Sequence, residues 1–98
     1  MLDFLACDTV NINMTSLQGK ITTTYDKLVE VFGEPTMTDA SPYEKVNAEW
    51  TVQAKDKDNT VFTVYNWKDG FIPTDKYDWH IGGYGFDSVD AATEIINA

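Results

Sequence analysis

Residues 46–54, Val-Asn-Ala-Glu-Trp-Thr-Val-Gln-Ala, carry the clearest pattern in the chain. Apolar side chains at every second position from Val46 to Ala54 alternate with polar ones, as a strand with one buried face requires. A polar turn over 55–59 and a second apolar run over 60–67 follow directly. The two runs are therefore predicted to form a β-hairpin.

The second strand of this hairpin carries large side chains on both faces. Alternation places Phe62 and Val64 on one face, and Val61, Tyr65 and Trp67 on the other. Because only one face can pack on the core, some large apolar groups are expected near the surface or under a loop.

Residues 77–81 are predicted to form a third strand of the same sheet. The odd-numbered residues from Tyr77 to Ile81 share one face, and Asp78 and His80 lie on the other. A partly alternating stretch from Val10 to Thr22 is predicted to be a further strand, with a bend at Gly19. The pair Gly82-Gly83 is expected to end the third strand or to form a bulge.

Two helices are predicted at the points where the apolar spacing becomes helical. The first runs from Thr24 to Phe32, with threonine hydroxyls at its start and Gly33 at its end. The second is expected to be capped by Asp87 and Ser88. The predicted buried stripes are Tyr25, Leu28, Val29 and Phe32, then Val89, Ala92, Ile95 and Ile96.

This order of elements is typical of an α+β fold. We predict an antiparallel sheet of three to four strands with two helices, in the order β-α-β-β-β-α. The 98 residues suffice for one domain spanning 1–98. Residues 1–7 have no basic segment, so we interpret them as a first strand or an ordered tail rather than a signal peptide.

The charge of the chain limits its partners. Sixteen acidic residues against seven lysines and no arginine give a net charge of −9. Phosphate contacts depend chiefly on lysine and arginine, so direct binding to nucleic acid is not expected. No apolar stretch approaches the length of a membrane helix, so no membrane partner is expected either.

No motif predicts a reaction centre, and the chain is not expected to be an enzyme. His80 with Asp78 could act as an oriented base, but no serine or cysteine has the sequence context of a nucleophile. One histidine and one cysteine, Cys7, do not form a metal-ligand pattern. We therefore predict no catalytic residue, no metal site and no cofactor.

Two candidate binding surfaces follow from the aromatic and acidic residues. The tryptophans, one on each predicted strand, could simply pack in the core. The alternative is an aromatic surface, for which the candidates are Tyr65, Trp67, Tyr77, Trp79 and Tyr84. Acidity could serve solubility alone, or could imitate a phosphate backbone in the basic groove of another protein. The candidates for this acidic surface are Glu49, Asp56, Asp58 and Asp78.

Several blocks of sequence resemble a family of small, uncharacterised bacteriophage proteins. The blocks are 23–35, ending in Phe-Gly-Glu-Pro, then 48–52, 61–68 and 78–83, the last reading Asp-Trp-His-Ile-Gly-Gly. The resemblance covers about Thr15 to Ile95 and implies a viral product that acts in the cytoplasm of an infected bacterium. The Phe-Gly-Glu-Pro end of the helix, followed by a tryptophan-bearing strand, is also similar to small β-lactamase-inhibitor-like domains, which speaks to fold alone.

The sequence thus predicts a non-enzymatic phage accessory protein that binds and inhibits or redirects a bacterial host protein. A nucleic-acid enzyme with a basic groove would suit the charge. The first alternative is a module that binds a small molecule or nucleotide on the aromatic sheet face. The second is a small virion or assembly component that self-associates as a homo-oligomer through the same rings.

Overall fold

The structure is a computed structural model that describes residues 3–6, 12, 15–39, 41–56 and 58–98. Its elements follow one another in this order: β1 Phe4–Ala6, β2 Ser16–Thr23, α1 Tyr25–Phe32, β3 Met37–Thr38, β4 Ala48–Ala54, β5 Val61–Tyr65, β6 Tyr77–Gly83 and α2 Asp87–Ile96. The predicted strand over 10–22 is described from Ser16 onward, while Val10, Met14 and Cys7 lie outside the described residues.

All strands belong to one antiparallel sheet, which confirms the α+β class. The order across the sheet is β1-β4-β5-β6-β2, and β3 pairs with β4 beside β1. Within the described residues the sheet has six strands, so the prediction of three to four was too low. The additional pairings come from β1 and β3, which have only three and two residues. β1 lies within residues 1–7, for which a first strand was one of the two interpretations, whereas β3 was not predicted. Segments of two or three residues are too short to show an alternating hydrophobic pattern, and they are recognised as strands only by their backbone hydrogen bonds.

The core lies between one face of the sheet and the two helices. Trp50 and Trp79 are fully buried and meet edge to face, with ring centroids 5.6 Å apart. Tyr25 of α1 lies over both rings, at 5.6 and 6.5 Å. Leu28 and Phe32 of the same helix are also buried. The alternation predicted for β4 is confirmed, since Ala48, Trp50, Val52 and Ala54 all lie in this core.

Helix α1 ends at Phe32 as predicted and begins at Tyr25, one residue after the predicted start, and local chemistry fixes both of its ends. The hydroxyl of Thr24 accepts a hydrogen bond from the Lys27 amide at 3.1 Å, the expected N-cap contact. Gly33 has φ 85°, a left-handed conformation that ends the helix. The carbonyl of Gly33 then accepts from the Trp50 indole at 2.9 Å, which joins the helix end to the centre of β4.

The predicted cap of α2 is wrong. Phe86 occupies the N-cap position and no side chain caps the helix. Ser88 is instead buried, and its hydroxyl donates to the Val61 carbonyl at 3.1 Å. Its hydroxyl thus ties the helix to β5, and it cannot also cap the helix. Asp87 remains exposed in the first turn, where it favours the positive end of the helix dipole.

Gly82 and Gly83 are the last two residues of β6, so the strand ends at this pair as predicted, and neither glycine forms a bulge. Pairing continues through Gly82 and Gly83, and the bulge lies on the neighbouring strand between Leu17 and Gly19. Gly83 is required because α2 crosses it closely: a Cβ atom there would overlap the side chain of Ser88. Within the described part of the chain, no helix is long and apolar enough to cross a membrane.

Replacement of Gly83 tests this close approach. We expect Gly83→Ala to lower the free energy of unfolding by about 1–3 kcal/mol, because the added methyl group forces α2 away from the sheet. The measurement is chemical denaturation followed by circular dichroism. Gly85→Ala is the matched control: its Cβ would meet only the Asp87 carboxylate, at 3.2 Å, so a change within about 0.5 kcal/mol is expected. Equal effects of the two variants would contradict this account of Gly83.

Candidate functional site

The sheet face opposite the helices carries a row of four polar side chains. Cross-strand pairing joins Glu49 to Tyr65, Tyr65 to His80, and His80 to Lys20. Side chains directly opposite each other on neighbouring strands are in contact distance. The register of the core therefore brings an acid, a phenol, an imidazole and an ammonium group together on the outer face.

Three rings of this outer face form the walls of a cleft. Tyr65 and His80 are stacked, with centroids 5.4 Å apart and planes 25° apart. Trp67 stands edge-on to Tyr65 at 6.3 Å and 76°. With Leu17 opposite, these rings enclose a cleft of about 310 Å³. We call it the outer-face cleft, and its lining residues are Leu17, Tyr65, Trp67 and His80.

Trp67 is held in place although its side chain is 40 % exposed. Its amide donates to the Tyr77 hydroxyl at 3.2 Å, and the next amide, of Lys68, donates to the Lys45 carbonyl at 2.7 Å. Lys68 has φ 60°, a conformation that costs a non-glycine residue free energy and persists only when its surroundings impose it. The ammonium groups of Lys45 and Lys68 lie 5.7 and 6.0 Å from the Trp67 ring centroid.

A buried pair of amides supports the loops that lead into the cleft. The Asn66 side-chain oxygen accepts from the backbone amides of Asn47 and Ala48 at 2.8 and 3.0 Å. The Asn66 amide group donates to the Asn47 side chain and to the Phe71 carbonyl, each at 3.1 Å. Asn47 in turn donates to two carbonyls of the loop before β4. The loop over 39–47 and the loop after Tyr65 are thus joined under Trp67.

Burial keeps the rings of the outer-face cleft uncharged at neutral pH. Burial, and then the Glu49 carboxylate, raise the pKa of Tyr65 above its ordinary 10.0. Burial and then the ammonium of Lys20 lower the pKa of His80 below 6.5, while Asp69 and Asp78 act in the opposite direction. Burial also raises the pKa of Glu49.

The geometry gives His80 no catalytic partner among the described residues. Its Nδ1 atom is buried and accepts or donates no hydrogen bond. The Asp78 carboxylate accepts from the Thr22 hydroxyl instead, so no carboxylate orients the imidazole as a base requires. The described residues also include no group of three or more His, Cys, Asp and Glu side chains that could hold a metal ion.

A second candidate surface lies at the turn between β4 and β5, beside α2. A cleft of about 190 Å³ there is lined by five carboxylates, together with Thr60 and Ala91. We call it the acidic groove, and its carboxylates are Asp56, Asp58, Asp87, Asp90 and Glu94. An adjoining cleft of about 330 Å³ shares Asp58 and Asp87 and is also lined by Tyr84.

Asp56 organises the turn from which this groove begins. Its carboxylate accepts from the Thr60 hydroxyl at 2.7 Å and from the Thr60 and Asp58 amides at 3.0 and 3.1 Å. These hydrogen bonds, those of Thr60 first, lower the pKa of Asp56 below its ordinary 3.8. The side chain is therefore ionised, and it directs the turn so that Asp58 lies next to the acidic face of α2.

The predicted aromatic surface divides between three places. Tyr65 and Trp67 do share a cleft. Tyr77 packs partly against the core, with its ring 5.2 Å from that of Trp79, and reaches the cleft region only through the contact of its hydroxyl with the Trp67 amide. Trp79 is fully buried in the core and is not part of any surface, because it lies on the helix-facing side of β6. Tyr84 lines the cleft next to the acidic groove instead.

The predicted acidic surface is also divided. Asp56 and Asp58 line the acidic groove, whereas Glu49 and Asp78 lie on the outer face of the sheet. The prediction did not include the helical members of the groove, Asp87, Asp90 and Glu94. Their spacing of three and four residues could have indicated this acidic helix face, because side chains at that spacing lie on the same side of a helix.

Titration of His80 tests the electrostatics of the outer-face cleft. We expect its pKa, measured by NMR, to lie below 6.5. The unfolded chain, with an ordinary histidine pKa, then binds the proton more readily than the folded chain. The free energy of unfolding should therefore fall as the pH drops below 6.5. Lys20→Gln should raise this pKa and Asp78→Asn should lower it further. Lys27→Gln, which removes a lysine on α1, should leave it unchanged. A pKa of His80 that does not respond to Lys20→Gln would contradict the assignment.

Truncation of Asn66 tests the support of the two loops. Asn66→Ala leaves two buried backbone amides without an acceptor, so we expect the free energy of unfolding to fall by about 2–4 kcal/mol. The Trp67 indole signal should broaden or shift in the NMR spectrum, whereas that of Trp50 in the core should move little. Asn59→Ala, at an exposed turn position, is the control and should leave the Trp67 signal in place. A variant of Asn66 with native stability would contradict this role.

The chain matches no protein-family model, and comparisons with curated proteins and with solved structures also found no match. The resemblance to small bacteriophage proteins therefore remains a prediction from the sequence. The function has to be argued from the outer-face cleft and the acidic groove.

Proposed function

We propose that this chain is a non-enzymatic binding protein whose acidic groove engages the basic groove of a bacterial nucleic-acid-binding protein. The observation that carries the proposal is the groove itself, in which five carboxylates converge from the β4–β5 turn and from α2. None of these carboxylates forms an ion pair within the described part of the chain. Asp56 is engaged by hydrogen bonds within its own turn, so the charges offered to a partner are those of Asp58, Asp87, Asp90 and Glu94.

Charge complementarity is the main argument for a basic partner. Like charges gathered in one cleft repel one another, and a cationic surface relieves that repulsion while it binds. The net charge of −9 extends the attraction beyond the groove and accelerates encounter with a positively charged protein. The same charge would repel nucleic acid, so the chain competes with nucleic acid rather than binding it.

The arrangement on α2 supports imitation of a phosphate backbone. Asp87, Asp90 and Glu94 are spaced by three and four residues, which places one carboxylate roughly every 5 Å along the helix axis. One strand of B-DNA presents a phosphate about every 3.4 Å along its axis. The two charge densities are of the same order, so a groove that accommodates a DNA strand would also accept this helix face.

Two exposed rings beside the groove would add apolar contact. Tyr84 is 56 % exposed and Phe86 is 80 % exposed, next to the first turn of α2. Aromatic side chains dominate the affinity of many protein interfaces, while surrounding charges set orientation and association rate. The resemblance to bacteriophage proteins implies that the partner is a host protein, which this chain would inhibit or redirect by occupying its nucleic-acid site.

Neutralisation of the groove tests the proposal. The groove variant carries Asp58→Asn, Asp87→Asn, Asp90→Asn and Glu94→Gln, and keeps Asp56 because that side chain holds the turn. Bacterial lysate is passed over the immobilised wild-type chain, and retained proteins are purified and titrated in the presence of a duplex DNA competitor. We expect duplex DNA to displace the partner, and the groove variant to associate about 10- to 1,000-fold more slowly.

A second variant separates the groove from net charge. Asp26→Asn, Glu30→Gln, Glu34→Gln and Asp75→Asn remove the same number of charges at exposed positions elsewhere. This control should retain most of the affinity, and circular dichroism should show that both variants are folded. A retained protein that duplex DNA does not displace would overturn the proposal. An equal loss of affinity in the two variants would also overturn it.

A further inference from the structure

We propose that the outer-face cleft binds a small planar aromatic molecule that carries one negatively charged group. This site is separate from the acidic groove: the two share no lining residue. It combines an apolar floor with lysines at its border, whereas the groove contains carboxylates. The inference therefore does not depend on the proposed protein partner.

The shape and chemistry of the cleft select a flat ring. Its volume of about 310 Å³ lies at the lower end of the range found for ligand pockets, which begins near 300 Å³. Tyr65 and Trp67 stand nearly perpendicular, at 76°, so a ring that stacks on one presents its edge to the other. Both arrangements are favourable between aromatic rings. Leu17 supplies an aliphatic wall opposite them.

The lysines around the cleft select a negative charge on that ring. Lys45 and Lys68 both place their ammonium groups within 6.0 Å of the Trp67 ring centroid. Neither forms an ion pair within the residues that the structure describes, although acidic residues outnumber lysines sixteen to seven in the chain. Lys20 approaches from the other side, paired across the strands with His80.

Of the carboxylates near the cleft, Asp69 and Asp78 are already engaged within the protein, and Glu49, opposite Tyr65, is half-buried with a raised pKa. Asp69 accepts from the Asn66 side chain at 3.1 Å, and Asp78 accepts from the Thr22 hydroxyl. The ammonium groups of Lys45 and Lys68 make no comparable contact beyond the Trp67 ring. A carboxylate or phosphate on a bound ring is thus the group that would pair with them.

The cleft is also formed before any ligand arrives. The backbone on both sides of Trp67 is fixed, by Tyr77 on one side and by Lys45 on the other. The buried Asn47–Asn66 pair holds the two loops beneath it. A ligand would therefore stack on a ring that loses little further freedom, which favours affinity.

A set of indoles that differ only in charge tests the inference directly. Indole-3-acetate, indole and tryptamine are titrated into the ¹⁵N-labelled chain, and the three tryptophan indole signals are followed by NMR. We expect indole-3-acetate to shift the Trp67 signal at the lowest concentration and tryptamine to require the highest. The signals of Trp50 and Trp79 should stay in place, because both rings are fully buried. Adenosine monophosphate and adenosine, run in parallel, distinguish a phosphate source of the charge from a carboxylate source.

Matched variants assign the effect to the cleft. Trp67→Ala should weaken binding of indole-3-acetate by about 5- to 150-fold, the effect of losing one stacking ring; here the His80 and Tyr65 backbone signals report binding. Tyr43→Ala removes another exposed aromatic ring, outside the cleft, and should change nothing. Lys45→Gln with Lys68→Gln should abolish the preference for indole-3-acetate over indole, whereas Lys27→Gln with Lys55→Gln should preserve it.

Three results would overturn the inference. The first is no shift of the Trp67 signal with either indole-3-acetate or adenosine monophosphate at millimolar concentration. The second is tryptamine binding as tightly as indole-3-acetate, which would refute the negative charge. The third is equal weakening by Tyr43→Ala and Trp67→Ala, which would refute the location.

Discussion

The edge-to-face contact between Trp50 and Trp79 is the constraint on which the two surfaces depend. Both rings are fully buried beneath Tyr25, and a slip of one residue in either strand would turn one of them into solvent. The contact therefore fixes the register of the sheet. Once that register is set, Tyr65 and His80 must face outward together, where they line the outer-face cleft.

The two surfaces differ in charge because different parts of the chain build them. The acidic groove joins the β4–β5 turn to α2, and among the described residues every ionisable group that lines it is a carboxylate. The outer-face cleft is bordered by Lys45 and Lys68 above Trp67. A single net charge of −9 conceals this separation. A molecule that suits one surface is disfavoured at the other, so the two proposed ligands would not compete for the same surface.

The alternation of apolar and polar residues was sufficient to predict the hairpin and the sheet face on which each of its side chains lies, since successive side chains of a strand point to opposite faces. It could not decide where Trp79 belongs, because both faces of the sheet carry rings and only the position of the helices distinguishes core from surface. The acidic groove depends on residues about thirty positions apart, at Asp58 and Asp87, which only the packing of α2 brings together. The capping role expected of Ser88 failed for the same reason: its hydroxyl is used in a long-range contact with Val61.

The close packing of α2 on the sheet connects the core to the acidic groove. Gly83 leaves room for Ser88 against the sheet, and Ala92, Ile95 and Ile96 bury the inner side of the helix. With the inner side fixed in this way, the helix cannot rotate to move Asp87, Asp90 and Glu94 away from Asp56 and Asp58 of the turn. The repulsion among them is therefore balanced by burial of the opposite helix face. A basic partner that relieves this repulsion should also stabilise α2 against the sheet, which makes the groove a place where binding and folding stability are thermodynamically linked.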